Sequence, residues 1–205
     1  MQIKLAIAGA FALLMGQQVL AVETVHSSRT AFEDTLGASV TDSYSNPGYG
    51  FVQNNAAMSA VLGETDYVST GFNNLNIVVG GRYCAGCNGS FRLLFTSTSV
   101  TEGNGVFGVG LDVFANSGYS ALVTFGDGGT QLYALPGGGS FWGVTSTRQV
   151  SQIDFGPGGN AATSGYFQID NLTIGAVPEP QTWALLIVGF GMIGAASRHR
   201  RLAAA

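Results

Sequence analysis

A series of short apolar runs, separated by glycine or asparagine, constrains the fold more than any other feature of this chain. The runs are five to nine residues long and follow one another at a spacing of roughly 10–15 residues. In the clearest of them the side chains fall on two alternating faces, which is the period of a β-strand. No convincing long helical period is present between the two ends of the chain. The sequence therefore predicts an all-β body built from antiparallel strands.

The apolar runs place the expected strands. We expect strands over residues 31–34, 91–96, 106–114, 119–125, 130–135, 141–145, 150–155 and 166–174. In the third of these, the face formed by Phe107, Val109, Leu111 and Val113 is the better core face. The glycine-rich segment 126–129 predicts a hairpin turn. We favour an antiparallel β-sandwich of the jelly-roll type, and an up-and-down barrel is the alternative.

Composition limits the size of the body and its partners. A chain of 205 residues with 46% hydrophobic residues can bury the core of about one domain. Residues 22–177 contain four arginines and no lysine against eleven Asp and Glu, a net charge of -7. Binding to a phosphate backbone needs clustered cations, so nucleic acid is not an expected partner.

The first 21 residues have the features of a secretory signal. Lys4 precedes an apolar stretch over residues 5–15, and Val19-Leu20-Ala21 is a small-residue cleavage site. Such a segment directs a chain to the Sec translocon as a signal helix and is then removed. A retained anchor is the alternative, but the apolar stretch is short for a membrane span.

A second apolar segment lies near the C-terminus. Residues 183–196 form a run of 14 apolar or small residues. A helix of that length rises about 21 Å, which is short of a hydrocarbon core of about 30 Å. Trp183 suits one interface, and the arginines that follow the run favour the cytoplasmic side. We expect a single transmembrane helix that holds the chain temporarily.

The residues around this helix resemble the PEP-CTERM sorting signal in its PEPxxWA form. The resemblance is carried by Pro178, Glu179, Pro180, Trp183, Ala184, Arg198, Arg200 and Arg201. The two prolines keep the segment extended and outside the helix, as a protease groove requires. The chain then divides into a signal peptide (1–21), a β-sandwich domain (22–176) and a sorting signal (177–201).

The resemblance implies how the tail is used. In that family the tail is recognised by an exosortase, a membrane-embedded enzyme that resembles proteases and transpeptidases, and the body is released to the cell envelope or extracellular matrix. The same tail is also labelled an ice-binding protein C-terminal region. Ice binding itself is not expected, because Thr96-Ser97-Thr98 is a single instance of the threonine array that it needs. More loosely, the body resembles carbohydrate-binding modules and lectin-like jelly-rolls, which implies a fold and leaves the function open.

Catalytic signatures are absent from the body sequence. Its one histidine is His26, close to the expected mature N-terminus, and G-x-S-x-G, H-E-x-x-H and Walker-type motifs do not occur. We therefore expect a protein that is not an enzyme and that has a structural or exopolysaccharide-interacting role. The alternative is a secreted glycan-active enzyme, which needs only paired carboxylates.

Cys84 and Cys87 are separated by two residues and flanked by turn-forming residues. In an oxidising compartment we expect a local disulfide, with redox or metal roles as the alternative. Closure of so short a loop should stabilise the fold by about 2 kcal/mol.

Two binding sites remain candidates. In jelly-roll carbohydrate-binding modules the first and last strands often meet at a structural Ca²⁺, and by that resemblance Glu33, Asp34 and Asp170 are candidate ligands. Ordinary solvated acids at strand ends are the alternative. The candidate aromatic platforms for a sugar are Trp142, Tyr119, Tyr133 and Tyr166, of which Trp142 is expected to be buried.

Overall fold

The computed structural model describes residues 21–115, 118–161, 165–178, 187 and 189–191. The signal helix expected over residues 1–21 lies outside this range except for Ala21, and most of the sorting signal also lies outside it. In chain order the elements are β1 (Glu23–His26), α1 (Arg29–Glu33), β2 (Ser39–Asp42), β3 (Val52–Gln53), α2 (Asn55–Leu62), β4 (Asp66–Ser69), a 3₁₀ turn (Phe72–Asn74), β5 (Asn76–Val79), β6 (Arg82–Ala85), β7 (Phe91–Leu94), β8 (Val106–Ala115), β9 (Tyr119–Phe125), β10 (Thr130–Ala134), β11 (Ser140–Pro157) and β12 (Phe167–Gly175).

These strands form one antiparallel sheet, which confirms the all-β prediction. The main path of the sheet runs β10-β9-β11-β8-β12-β6-β5-β3. β1 and β7 also pair with β11, β2 pairs with β12, and β4 pairs with β7. The finer choice of a jelly-roll stays a prediction.

The long strand β11 folds the sheet over on itself. Its first part, from Ser140 to Ser146, pairs with β8 and β1, whereas the part from Val150 to Pro157 pairs with β9 and β7. The rings of Trp142 and Phe155 lie 6.3 Å apart. Thirteen residues of extended strand would separate them by about 43 Å, so β11 must bend sharply between them. The sequence prediction of two separate strands here, over 141–145 and 150–155, was wrong.

One core fills the space inside the folded sheet. It contains buried side chains from both halves of β11 and from the strands that pair with them. Its largest fully buried members are Tyr83, Phe91, Phe95, Phe125, Phe155, Phe167, Met58, Leu93, Leu111, Ile153 and Ile169. Several of the aromatic rings are in contact; those of Phe91 and Phe155, for example, are 5.0 Å apart.

The other strand predictions hold within one or two residues. β9 has the predicted bounds, and β9 and β10 form the expected hairpin, in which Gly128 has a φ of +84°. In β8 the predicted core face is confirmed at Val109, Leu111 and Val113, which are fully buried. Phe107 is only partly buried, and Val106 on the opposite face is buried instead.

The predicted first strand over residues 31–34 was wrong, because this segment is part of helix α1. The Ser28 hydroxyl accepts a hydrogen bond from the Ala31 N–H and caps the helix. Only Phe32 of this helix is buried. A single apolar residue cannot reveal a helical period, so the pattern could not distinguish a short helix from a strand.

Helix α1 packs against three glycines on the outer face of the sheet. Phe32 is fully buried, and a Cβ added at Gly110 or Gly143 would lie 2.7 Å or 3.0 Å from its ring. A Cβ at Gly108 would lie 2.5 Å from a methyl group of Leu36, just after the helix. Because real Cβ contacts are longer than this, the three glycines make room for the helix.

Candidate functional site

The sheet ends where the sorting tail begins. Gly175, the last residue of β12, is paired with both β8 and β2. The next N–H, from Ala176, donates to the Ala38 oxygen at 2.9 Å, and the Gly37 N–H donates to the Ala176 oxygen at 2.8 Å. Pro178 is exposed and has no N–H with which to continue the ladder. A cut after Pro178 would therefore leave these hydrogen bonds in place.

Most residues of the sorting motif lie outside the described range. They are Glu179, Pro180, Trp183, Ala184, Arg198, Arg200 and Arg201. Two described residues of the apolar segment, Ile187 and Phe190, are 71% and 67% exposed. Within the part of the chain that the structure describes, no helix is both long enough and apolar enough to cross a membrane.

The three acids named as calcium ligands are not brought together. Glu33 and Asp34 lie exposed at the end of α1, where Glu33 pairs with Arg29 at 3.4 Å. Asp170 lies on β12. Among the described residues, no group of three or more His, Cys, Asp or Glu side chains could hold a metal ion. This ligand set is corrected for the same reason as the first strand: residues 33 and 34 belong to a helix and its cap.

Asp170 instead faces a second acid on the neighbouring strand. It is the cross-strand partner of Asp112 on β8. Asp112 is ion-paired with Arg29 at 3.1 Å and accepts a hydrogen bond from the Asn171 amide at 2.8 Å. Burial raises the pKa of Asp170; the Asn171 N–H opposes this rise, and the charge of Asp112 adds to it. This cluster on the outer face of the sheet contains two carboxylates, one guanidinium group and the Asn171 amide.

Two aromatic rings border this cluster, each covered by an arginine. The Arg29 guanidinium lies 4.8 Å from the centre of the Phe141 ring, and the Arg82 guanidinium lies 3.6 Å from that of Phe114. These are cation–π distances. The ring faces under the two guanidinium groups are therefore already in use and are poor platforms for a ligand.

The aromatic residues proposed as sugar platforms differ in exposure. Trp142 is buried, as expected, and lies near Tyr133, with 5.9 Å between the ring centres. Tyr119 is partly buried and packs on Phe167 at 5.2 Å. Tyr166 is 49% exposed and is the one member of this set that presents much of its surface to solvent.

The structure joins Cys84 and Cys87 in a disulfide, with 4.9 Å between their Cα atoms. The disulfide lies at the end of β6, and Cys87 itself has a φ of +54°. Three segments meet beside it. The loop of residues 70–74 contacts the loop of residues 86–90 through the Phe72 N–H and the Asn88 side chain. The described residues Ala161 and Gly165 join them, because the Ala161 oxygen accepts a hydrogen bond from the Thr70 hydroxyl and the Gly165 N–H donates to the Asn88 oxygen.

Sequence reasoning missed one exposed aromatic residue at this junction. Phe72, in the 3₁₀ turn, is 65% exposed. The available clue was a large apolar residue among turn-forming residues, in Gly71-Phe72-Asn73-Asn74. Nothing in the sequence gives its exposure, because that depends on how the three loops pack.

His26 lies in β1, close to the expected mature N-terminus. Its Nε2 is 3.0 Å from the Thr145 hydroxyl, and its ring meets the Phe32 ring edge-on at 5.6 Å. Partial burial lowers the pKa of the imidazole. In the described part of the chain no carboxylate hydrogen-bonds to this ring, so it lacks the third group that orients the base of a triad.

Comparison with known proteins bears on the tail. No curated protein and no solved structure matches the chain. A family model described as the PEP-CTERM protein-sorting motif matches residues 176–201. The matched segment starts at Ala176, the residue at which the sheet ends. The chain therefore carries a PEP-CTERM protein-sorting motif and is an exported protein that an exosortase processes for the cell envelope or extracellular space.

Proposed function

We propose that the β-domain is a structural or exopolysaccharide-interacting component of the envelope or extracellular matrix, freed from its tail near Pro178. One observation carries the release step. Within residues 165–178, the last backbone hydrogen bonds between the end of β12 and the rest of the body are those of Ala176, two residues before Pro178. A cut near Pro178 would therefore leave the backbone hydrogen bonds of the described domain in place.

The position of the tail supports processing of the folded body. β12 is held between β2 and β8 up to Gly175, so the domain does not need to open to present the segment that follows it. An exposed proline keeps that segment extended, which is the form that a protease groove accepts.

A non-catalytic role fits the chemistry of the body. His26, the one histidine of the body sequence, hydrogen-bonds with a hydroxyl and packs on Phe32. Of the aromatic residues considered for a sugar, Trp142 belongs to the core. A binding or structural role needs no positioned general base, so it is compatible with this chemistry.

The release step is tested in the native host by deleting its exosortase. We expect the mature protein to change from a tail-free form in the medium or envelope to a heavier, membrane-associated form. Restoring the exosortase should reverse the change. An unchanged mass and location in the deletion strain would overturn the proposal.

A glycan-active enzyme is the second candidate, and one observation favours it. Asp112 and Asp170 are cross-strand neighbours, and Asp170 has a raised pKa, as a general acid requires. The ion pair between Arg29 and Asp112 weighs against it, because it engages the second carboxylate. A turnover assay on a panel of glycans separates the two candidates. Hydrolysis that is lost in Asp112→Asn and Asp170→Asn would replace the binding role with an enzymatic one.

A further inference from the structure

Three loops form an exposed surface at the disulfide end of the domain. Phe72 and Tyr166 lie on two of these segments and are 65% and 49% exposed. The exposed amides of Asn73, Asn74 and Asn88 accompany them. We call these five residues the Phe72 platform.

The loops of the platform pack backbone against backbone. A Cβ at Gly71 would lie 2.0 Å from the Ala85 oxygen, and a Cβ at Gly89 would lie 2.3 Å from the Gly71 Cα. A Cβ at Gly86 would lie 2.5 Å from the Phe72 nitrogen. Any side chain at these positions would force the loops apart, so the three glycines are required for this contact.

Hydrogen bonds fix the platform to its neighbours. The Phe72 N–H donates to the Asn88 side-chain oxygen at 2.9 Å, and the Gly165 N–H donates to the Asn88 backbone oxygen at 3.0 Å. Asn88 thus connects the loop that carries Phe72 with the loop that carries Tyr166. The disulfide between Cys84 and Cys87 closes the turn that leads to Asn88.

The backbone of the turn is held in a conformation that few residues adopt. Asn73 and Asn74 have φ values of +52° and +56°. Asparagine tolerates the left-handed region better than other non-glycine residues, but two in succession still cost energy. The surrounding contacts hold this conformation, so ligand binding would not require the loss of conformational entropy that ordering a flexible loop entails.

The chemistry of the platform fits a neutral polysaccharide. Sugar rings stack their C–H faces on exposed aromatic rings, and their hydroxyls exchange hydrogen bonds with side-chain amides. Residues 69–74, 85–90 and 165–167 contain no Asp, Glu, Lys or Arg, so nothing there would pair with a charged sugar. The acidic body would also repel a polyanion.

We infer that the Phe72 platform is a binding site for neutral polysaccharide chains, in which Phe72 is the main stacking surface. This inference rests on the exopolysaccharide-interacting role proposed above. It adds the location of the site and the class of sugar.

The test compares two phenylalanines of equal exposure. Phe51, just before β3, is also 65% exposed but is not part of the platform. Exported protein from the native host is run through gels that contain dextran, laminarin or galactomannan, and through gels that contain the acidic polymer alginate. We expect retardation by at least one neutral polymer, a loss of affinity of about 5- to 30-fold in Phe72→Ala, and no change in Phe51→Ala.

A second variant separates lost contacts from lost shape. Asn73→Gly keeps the left-handed backbone and removes the amide, so we expect weaker binding with an unchanged melting temperature. Wild-type binding that Phe72→Ala leaves intact would overturn the platform and leave the proposed role standing. Retardation by alginate alone would overturn the neutral class of ligand. No retardation by any polymer would overturn both the platform and the polysaccharide role.

Discussion

The N–H of Ala176 donates to the carbonyl oxygen of Ala38 at 2.9 Å, and this bond closes the sheet at the first residue of the sorting motif. Ala38 lies directly before β2, which flanks the end of β12. The sorting motif therefore begins at a boundary of the hydrogen-bonded structure.

Removal of the Phe32 ring should strongly destabilise the domain. Phe32→Ala would leave a cavity above Gly108, Gly110 and Gly143, and we expect a loss of about 3–5 kcal/mol in the free energy of unfolding. Denaturant unfolding of the exported protein measures this loss. Thr30→Ala, on the exposed side of the same helix, is the control and should change stability by less than about 0.5 kcal/mol. Equal effects of the two variants would contradict the packing described for α1.

The raised pKa of Asp170 predicts a pH dependence of stability. The folded protein holds the proton of this carboxyl more tightly than the unfolded chain does, so the carboxyl favours folding at low pH and loses this contribution as the pH rises through the raised pKa. Asp170→Asn keeps an oxygen for the Asn171 N–H and removes the charge. In calcium-free buffer we expect the variant to be more stable than the wild type at pH 7. The difference should shrink as the pH falls below about 4. A difference that grows in acid would contradict this assignment.

The disulfide should contribute modestly to stability. Replacement of Cys84 and Cys87 together by alanine should lower the free energy of unfolding by about 2 kcal/mol, the value for closing so short a loop. Reduction of the wild type should have a similar effect on denaturant unfolding. The double variant should not respond to reductant, and a response in that variant would show that the reductant acts elsewhere.

Calcium should have little effect on this body. The Arg29 guanidinium forms ion pairs with both Glu33 and Asp112, so these carboxylates near α1 already have a cationic partner. We expect the same melting temperature with a chelator and with excess calcium. A lower melting temperature in the chelator would restore the calcium site predicted from the sequence.

The strands that the sequence predicted best are those whose pattern is local. β9 buries every second residue from Ala121 to Phe125 and is followed by a glycine-rich turn, and both features are visible in a short window. β11 was divided in two because residues 146–149 are polar, which is typical of a loop. They are instead part of the strand: Ser146 still pairs with β1, and residues 147–149 lie between the two pairing regions, where the strand changes partners.

The sequence could predict only those site residues that lie close together in the chain. The sorting motif occupies one short segment, so its residues could be named from the sequence. Arg29 and Asp112 are far apart in the chain and meet only because α1 packs over β8. The exposure of Phe72 likewise depends on how its loop packs through glycines against residues 85–90, and no local pattern encodes that arrangement.

The most direct test of the account is the intact mass of the protein recovered from the surface and medium of its native host. A mass that corresponds to residues from about 22 to the region of Pro178 is the predicted result. It would mean that both ends are removed and that the sheet, closed at Ala176, is what remains. A mass that still includes Trp183 to Arg201 would contradict the account, because the tail would then be a permanent part of the protein.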